Sequence, residues 1–252
     1  MSAVDVLWTA GWDSTFRVAD LLFHSDDIVR PWYVVDPYRR SATIELETQD
    51  VIRRALADLD PTATRRLLPA QIVTVDEIPQ IPEITEQFRA LLGKQFLGGQ
   101  YEWLARLAES RRLVLELSIH RDDRAHKVLA AAVDNIDGSY RLVAGPVDPA
   151  LEMFRRFRFP LFETTKLEMG DAARDGGFLR VMELTWFCHS PLRGKPCGCC
   201  NPCRYTRAEG LGRRVPPQTR GRLFEVWLRD KALIAREWGR RIVWSRGGVR
   251  ES

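Results

Sequence analysis

The chain has 252 residues, of which 45% are apolar and 29% are charged, and its formal net charge is +4. This length and composition allow one large domain or one domain with an appendage, and the charge is compatible with nucleotide or nucleic-acid partners without indicating either. The N-terminal apolar run carries Asp5 and Asp13 and is too short to span a bilayer. We therefore expect no secretory leader, a cytoplasmic location and no membrane partner.

Apolar runs and helical patterns alternate along the chain. Residues 3–8 predict a buried strand, and residues 14–23 predict a helix because apolar side chains recur there at helical spacing. The alternation continues with strands at 31–36, 70–78 and 111–120 and with helices at 43–59, 84–109 and 126–136. This order predicts an α/β fold with a Rossmann-like parallel sheet and helices on both faces.

The loop after the first predicted strand, TAGWDST at residues 9–15, is the first place to look for chemistry. Ligands of parallel sheets bind beyond the carboxyl ends of the strands, and a glycine-containing turn into a helix presents backbone N–H groups to phosphate. Ser14 and Thr15 can cap the helix or donate to phosphate oxygens. Asp13 would repel phosphate unless a cation lay between them, and Mg²⁺ is the natural bridge. An ordinary tight turn is the alternative interpretation.

All five cysteines of the chain lie within residues 188–203. Four of them follow the spacing C-x8-C-x2-C-x2-C, which predicts a closed, structural Zn²⁺ site with the ligands Cys188, Cys197, Cys200 and Cys203. A disulfide is disfavoured in a reducing compartment, and an iron–sulfur cluster is a further alternative. Cys199 is expected to be a spectator, or else to substitute for Cys200. His189 is either an exposed neighbour or a competitor of Cys188.

The loop and the cysteine segment together resemble the 7-cyano-7-deazaguanine synthase family of ATP pyrophosphatases. TAGWDST resembles the SGGxDS loop of these enzymes: Gly11, Asp13 and Ser14 match, Thr9 replaces a serine and Ala10 replaces a glycine. Three further segments resemble the family in order, namely VVDPYRRSATIELE (34–47), RDDRAHKVLAAAV (121–133) and FPLFETTKLEMGDAA (159–173). The segment ELSIHRDD is shorter than its counterpart in the family, so the substrate pocket is expected to differ in shape.

The resemblance implies a fold of the adenine nucleotide α-hydrolase type and an ATP-dependent ligase. Such an enzyme adenylates a deazaguanine-like carboxylate, and ammonia then gives an amide and a nitrile with release of AMP and pyrophosphate. The implied cofactors are ATP, Mg²⁺ and Zn²⁺. Asp13 would hold Mg²⁺, and Arg40 and Lys166 would stabilise phosphate charge. Asp123 and Arg124 would contact the acid. The implied nucleotide-binding residues are Thr9, Ala10, Gly11, Trp12, Ser14, Thr15 and Asp36, with Trp12 either packed against the sheet or stacked near the site.

We expect three segments: a nucleotide-binding α/β domain at 1–180, a zinc-binding segment at 181–213 and a C-terminal helical extension at 214–252. The extension predicts an amphipathic helix, and such a helix packs by default on its own protein; a homodimer contact or a partner-docking role is the alternative. The predicted apolar face of this helix consists of Phe224, Trp227, Leu228, Ile234 and Trp238.

Two other functions stay open at the level of sequence. In the first, the adenylated acid is transferred to an amine on a partner protein or small molecule, and the short pocket segment and the added tail motivate this alternative. In the second, the protein is a non-catalytic, zinc-stabilised module that binds a nucleotide or nucleic acid. Ala10 favours the second alternative, because a methyl group at this position would hinder close approach of the backbone to phosphates.

Overall fold

The computed structural model describes residues 3–94, 96–145 and 147–231. Five strands form one sheet in which every neighbouring pair is parallel, and two further strands form a hairpin. The strands are β1 (Ala3–Leu7), β2 (Ile28–Val35), β3 (Gln71–Thr74), β4 (Leu115–Glu116), β5 (Val133–Ile136), β6 (Ser139–Leu142) and β7 (Phe157–Arg158). The order in the sheet is β3-β2-β1-β4-β7. The predicted parallel sheet of an α/β fold is confirmed.

Helices connect the strands and flank the sheet. They are α1 (Trp12–His24), α2 (Ala42–Leu59), α3 (Pro61–Thr64), α4 (Pro82–Lys94), α5 (Gln100–Ser110), α6 (Arg124–Leu129), α7 (Lys166–Asp175), α8 (Leu179–Met182) and α9 (Asn201–Thr206). A further helix, α10, covers residues 220–231. Within the described residues, none of these helices has the length and apolar character needed to cross a bilayer.

The two faces of the sheet contribute to two different cores. Val6 and Trp8 are fully buried and pack with α1 and α2, whereas Leu7 between them packs with α4 and α5. Successive side chains of a strand point to opposite faces, so a strand that is covered on both faces must be apolar at nearly every position. The apolar runs that predicted β1 and β2 therefore reflect a sheet with helices on both faces.

The strand order changes direction at β1. The chain passes from β1 to β2 and β3 on one side of the sheet, and it then crosses to β4 and β7 on the other side. The loops that follow β1 and β4 therefore leave the sheet in opposite directions and open a crevice between them. In open parallel sheets this crevice is the usual position of a ligand.

The predicted helix at 126–136 is wrong beyond Leu129, where α6 ends. The chain forms the antiparallel hairpin β5–β6 instead. Asp137 and Gly138 connect its strands with φ angles of 55° and 81°. This is the geometry of a two-residue turn of type I′, for which Asp-Gly is a strong sequence signal. The helical spacing of the preceding apolar residues concealed that signal.

Other predicted elements are present with different limits. The helical region predicted at 84–109, with an interruption at GKQFLGG (93–99), consists of α4 and α5, and the break between them contains Gly98 and Gly99. The strand predicted at 70–78 ends at Thr74, where a 3₁₀ turn begins with a capping box between Thr74 and Glu77. The strand predicted at 111–120 is much shorter in the structure: all residues of this segment are described, and only those of β4 pair with neighbouring strands.

Candidate active site and metal centre

A cavity of about 590 Å³, called here the central cavity, lies at the carboxyl ends of β1 and β4. Its wall combines the loop after β1, the segment between β4 and α6, the start of α7 and the region of α9. Seven of the residues predicted for the site line it, namely Thr9, Gly11, Trp12, Asp13, Asp123, Arg124 and Lys166. The fold thus brings together side chains that are widely separated in the sequence.

The loop after β1 forms a tight turn into α1. Gly11 is the N-cap residue of α1 and has an extended backbone, with a φ of −75°. The amide N–H of Thr9 donates to Ser14 Oγ at 3.3 Å, which closes the turn. Asp13 lies in the first turn of α1. Backbone N–H groups at this end of the helix attract negative charge, so the turn suits an anion such as phosphate.

The side chains of Ala10 and Thr15 face the core, so that only their backbone groups are left for the expected contact with a nucleotide. Ala10 is fully buried in the core that includes α1, and its φ of 55° lies in the left-handed region. Thr15 is also fully buried, and its hydroxyl accepts a hydrogen bond from Trp8 Nε1 at 3.0 Å. The methyl group of Ala10 therefore packs inside the protein and does not cover the turn.

Trp12 is packed and at the same time borders the central cavity. It is 4% exposed, and its Nε1 donates to the carbonyl of Lys166 at 3.2 Å. The guanidinium of Arg214 lies 5.1 Å from the centre of its ring. These contacts support the packed alternative for Trp12 and anchor the start of α7 beside the loop.

Asp13 lies between two nitrogen-bearing side chains. Lys166 Nζ is 3.6 Å from Asp13 Oδ1, and His120 Nε2 is 3.8 Å from Asp13 Oδ2. The buried Oδ1 accepts no hydrogen bond from any residue that the structure describes. A buried carboxylate oxygen without a donor is unfavourable, so it is available to a ligand or a cation.

Lys166 is held in place by a second carboxylate. Its Nζ donates to Glu209 Oε2 at 2.8 Å, and both side chains are largely buried. Burial by itself would lower the pKa of Lys166, but the charges of Asp13 and Glu209 outweigh it and raise the pKa above its ordinary value. Lys166 is therefore a fixed ammonium group at neutral pH, directed at the oxygen of Asp13.

His120 is a site residue that the sequence analysis did not single out. It is 3% exposed, and its Nδ1 accepts a hydrogen bond from the backbone N–H of Asp122 at 3.3 Å. An imidazole nitrogen that accepts cannot carry the proton, so this contact assigns the proton to Nε2, which faces Asp13. The sequence analysis pointed to the segment ELSIHRDD, which contains His120. However, a single histidine at the end of a predicted strand has no sequence pattern that distinguishes a site residue from a core residue.

A second cavity of about 910 Å³ adjoins the first and lies beyond β2 and β3. Asp36 directly follows β2 and lines it, and Asp36 Oδ1 accepts from the backbone N–H of Tyr38 at 2.9 Å. Arg40 also lines this second cavity, and its Nη1 donates to Asp230 Oδ1 at 3.2 Å. Asp36 and Arg40 therefore line the second cavity and not the central one.

Arg39 lies where the two cavities meet and lines both of them. Its Nε is 3.3 Å from Glu45 Oε1. Glu45 is 3% exposed and accepts hydrogen bonds from Ser41 Oγ at 2.6 Å and from the hydroxyl of Tyr33 at 3.0 Å. Burial, together with the charge of Glu45, raises the pKa of Tyr33, so the phenol stays a donor. This network holds Arg39 at the boundary of the two cavities, whereas the sequence analysis singled out its neighbour Arg40 as the residue that would stabilise phosphate charge.

Asp123 and Arg124 begin α6 at the mouth of the central cavity. Asp123 is the N-cap residue, and its Oδ1 accepts from the backbone N–H of Ala125 at 3.0 Å. The guanidinium of Arg124 lies 5.5 Å from the ring of Phe96 and 5.4 Å from the ring of Tyr205. Arg124 is thus presented between two exposed aromatic rings, where a planar anionic group could reach it.

The four predicted cysteine ligands form one compact group. Their sulfur atoms all lie within 4.8 Å of one another. Cys188 Sγ is 3.8 Å from Cys200 Sγ, and Cys197 Sγ is 3.9 Å from Cys203 Sγ. Four sulfurs at about 2.3 Å from a tetrahedral ion are about 3.8 Å apart. The four cysteines can therefore hold a metal ion such as zinc.

Backbone donors support the same conclusion. The N–H of Cys197 donates to Cys188 Sγ at 3.2 Å, and the N–H of Cys200 donates to Cys197 Sγ at 3.3 Å. Such donors stabilise thiolates and orient them toward a metal. The thiol of Cys199 donates instead to the carbonyl of Cys197 at 3.3 Å, outside the group of four. His189 is exposed and contacts Arg39.

The group of four cysteines and the loop after β1 are directly connected. The backbone N–H of Trp186 donates to the carbonyl of Ala10 at 2.8 Å, and the indole of Trp186 donates to the carbonyl of Cys188 at 2.7 Å. Trp186 and Phe187 also line the central cavity. The segment that leads into the first predicted metal ligand therefore helps to hold Ala10 in its left-handed conformation.

No protein-family model matches the chain, and no curated protein matches it. The geometry of the two cavities and of the cysteine group, together with the resemblance of the sequence motifs, is therefore what supports a function for this chain.

Proposed function

We propose that this protein activates a carboxylic acid with ATP. An oxygen of the acid attacks the α-phosphorus of ATP, the bond to the β-phosphate breaks, and an acyl-adenylate and pyrophosphate are formed. Ammonia or another amine then attacks the carbonyl carbon, gives up a proton and displaces AMP, which leaves an amide. The observation that carries the proposal is the placement of Asp13, Lys166 and His120 above an anion-binding turn at the point where the strand order reverses.

The turn at Thr9, Gly11 and Ser14 would receive the phosphates. Its backbone N–H groups lie at the N-terminus of α1, and Lys166 adds a buried positive charge 3.6 Å from Asp13 Oδ1. Arg39 approaches from the boundary with the second cavity. Positive groups that are fixed before the reaction stabilise the charge that develops on the phosphates, and this is the main contribution an enzyme makes to such a transfer.

Asp13 is the residue that would hold Mg²⁺. Mg²⁺ is commonly bound through one or two carboxylates together with substrate phosphate oxygens, and Asp13 Oδ1 is a buried oxygen without a donor among the described residues. When bound, the ion neutralises the charge of the phosphates. His120 Nε2 and Lys166 Nζ orient the carboxylate of Asp13 from either side.

The two cavities suit the two substrates. The second cavity follows β2, and an acidic residue at the end of that strand commonly binds ribose hydroxyl groups in related sheet topologies, a role that Asp36 could take. The acid would enter the central cavity between Phe96 and Tyr205, where Arg124 can bind its carboxylate. With a deazaguanine acid, a second adenylation on the amide oxygen, followed by loss of AMP and a proton, gives the nitrile.

The first experiment compares Asp13→Asn with the wild type. Purified, metal-loaded protein is incubated with Mg-ATP, a carboxy-deazaguanine and ammonium, and pyrophosphate, AMP and the product mass are followed. We expect the substitution to slow pyrophosphate release about a hundredfold or more, because it removes the carboxylate that would hold Mg²⁺ beside the phosphates. Asp50→Asn, an exposed change on α2, is the control and should retain the wild-type rate. A rate near wild type in Asp13→Asn would contradict the proposed site.

The products distinguish the details. AMP together with the nitrile supports the complete reaction with ammonia. AMP without the nitrile retains the adenylation and points to a different amine. Binding of ATP without any pyrophosphate, with every acid tested, contradicts the enzymatic proposal and favours a nucleotide-binding module.

A further inference from the structure

His189 lies at the boundary between the two cavities and lines both of them. It directly follows Cys188, the first predicted metal ligand, but it is not a member of the group of four cysteines. Its side chain is exposed at this boundary. The role of a competing metal ligand therefore does not account for this histidine, and its contacts point to another one.

The imidazole of His189 contacts the guanidinium of Arg39. Arg39 Nη2 and His189 Nε2 are 2.5 Å apart. A guanidinium has donors only, so Nε2 accepts the hydrogen bond and the proton of the neutral ring is on Nδ1. Arg39 Nε lies 3.3 Å from the buried carboxylate of Glu45. Two of the three guanidinium nitrogens are thus occupied, and Nη1 makes no hydrogen bond to a residue that the structure describes.

The backbone is fixed on both sides of His189. The carbonyl of Cys188 accepts from Trp186 Nε1 at 2.7 Å, and the sulfur of Cys188 belongs to the group of four. The carbonyl of Ser190 accepts from Arg229 Nη1 at 2.5 Å. The position of the imidazole therefore depends on the cysteine group on one side and on α10 on the other.

Helix α10 faces the cysteine segment with its polar side. Besides the contact of Arg229, Arg222 Nε donates to the carbonyl of Cys197 at 2.8 Å. The apolar side chains of the helix are exposed, namely Leu223, Phe224, Trp227 and Leu228. The packing of this face on its own protein, which the sequence analysis expected, is therefore not found among the described residues; Ile234 and Trp238 lie outside them.

We propose that His189 is a positioning residue: it holds Arg39 so that the free Nη1 edge of the guanidinium faces the phosphates of the nucleotide. The inference rests on the proposed function, because it needs an anionic substrate at Arg39. A guanidinium that is held at two nitrogens before the substrate binds loses less side-chain freedom on binding and needs no reorganisation in the transition state. The cysteine group then supports the nucleotide site through His189 as well as through Trp186.

Two substitutions of His189 separate its hydrogen bond from the bulk of its ring. Glutamine offers an amide oxygen at about the reach of Nε2, whereas leucine fills space without an acceptor. We expect His189→Leu to lower both the rate of pyrophosphate release and the affinity for an ATP analogue about tenfold, and His189→Gln to stay within about threefold of the wild type. The analogue carries a methylene group between the α- and β-phosphates, and calorimetry on the full-length, metal-loaded protein measures its affinity. Lys195→Ala, an exposed change in the same segment, is the control and should match the wild type.

A double-mutant cycle distinguishes positioning from a structural role. In an Arg39→Ala background there is no guanidinium left to hold, so we expect His189→Leu to change the affinity for the analogue by less than about twofold. A residue that only supports the fold would cost the same factor in both backgrounds. Metal content should be the same in every variant, and a lower content in His189→Leu would indicate a structural role and overturn the inference.

The remaining outcomes separate this inference from the proposed function. Equal losses in the two backgrounds, or wild-type behaviour of His189→Leu, overturn the positioning role and leave the proposed function standing when the wild type releases pyrophosphate. A wild type that binds the analogue but releases no pyrophosphate contradicts the proposed function; a coupling in affinity between His189 and Arg39 then supports the positioning role, and its absence overturns it. A wild type that does not bind the analogue overturns both.

Discussion

Arg39 and Arg40 are neighbours in the chain with different environments. Arg39 is paired with the buried carboxylate of Glu45 and borders both cavities, whereas Arg40 is half exposed and pairs with Asp230 on the surface. Both arginines fit the sequence motif equally well. The difference arises because Glu45, one turn into α2, is held by Tyr33 and Ser41 and fixes only one of the two guanidinium groups.

Replacing each arginine separately tests this assignment. We expect Arg39→Ala to weaken ATP binding by about tenfold or more, because a guanidinium fixed beside a phosphate makes charge-assisted hydrogen bonds. Arg40→Ala should have a clearly smaller effect, since exposed ion pairs contribute little. Isothermal titration calorimetry with a non-hydrolysable ATP analogue measures both affinities. Equal losses in the two variants would show that neither arginine is singled out by the fold.

Ala10 and Thr15 show the limit of aligning a motif residue by residue. Gly11 and Asp13 of the motif line the central cavity, and Ser14 closes the turn beside them. The motif cannot show that Ala10 has a positive φ, or that the hydroxyl of Thr15 is used by Trp8. A methyl group on an L-residue in the left-handed region costs about 1–2 kcal/mol, and the hydrogen bond from Trp186 helps to hold it there.

At the scale of elements, the cysteine segment not only forms a compact group of its own but also contacts the loop after β1. Trp186 connects it to the carbonyl of Ala10, and Arg214 connects it to Trp12 and to the carbonyl of Thr185. The spacing of the cysteines predicted a group of four thiols that can hold a metal ion, because four cysteines at such short intervals are typical of a structural zinc site. Its contact with the loop after β1 could not be predicted, since it depends on how the chain returns across the sheet.

Removing the metal should therefore affect both ends of this connection. We expect chelation to lower the thermal stability of the protein and also to weaken nucleotide binding, because the segment that supports Ala10 loses its anchor. Differential scanning calorimetry and the calorimetric affinity for the ATP analogue measure the two effects. A fall in stability with an unchanged affinity would contradict the connection through Trp186.

Two serine variants provide the control for the metal ligands. Cys199→Ser should retain one metal ion per chain, because this thiol lies outside the group of four, whereas Cys197→Ser should lose it. Metal content by mass spectrometry separates the two cases.

At the scale of the whole molecule, several carboxyl groups accept hydrogen bonds from helix-capping residues or from arginines, and these contacts lower their pKa values. A backbone hydrogen bond from Thr165 lowers the pKa of Glu168 below its ordinary value, and one from Thr74 does the same for Glu77. Hydrogen bonds and charge from Arg156 and Arg155 lower the pKa of Glu109 and Glu152. Each of these groups stabilises the fold above its ordinary pKa.

The free energy of unfolding should consequently fall in acid. A carboxyl group whose pKa is depressed in the folded state loses its contribution as the pH falls from about 4 through that depressed value. Urea unfolding between about pH 7 and pH 3 measures the loss. Glu168→Gln should show a smaller decrease over this range, because glutamine can keep the capping contact without the charge. An identical decrease in the variant would mean that Glu168 does not contribute.

The sequence by itself determined the parallel α/β class, the loop after β1 and the four cysteines, because each depends on local patterns: apolar runs, a turn and a short spacing. The tertiary structure decided which arginine faces the cavities, where His120 lies, and that the apolar face of α10 points outward. These features depend on contacts between distant segments, such as Arg222 with Cys197 and His120 with Asp13. An amphipathic pattern shows that a helix has two faces, but only the packing of the whole chain selects the face that is buried.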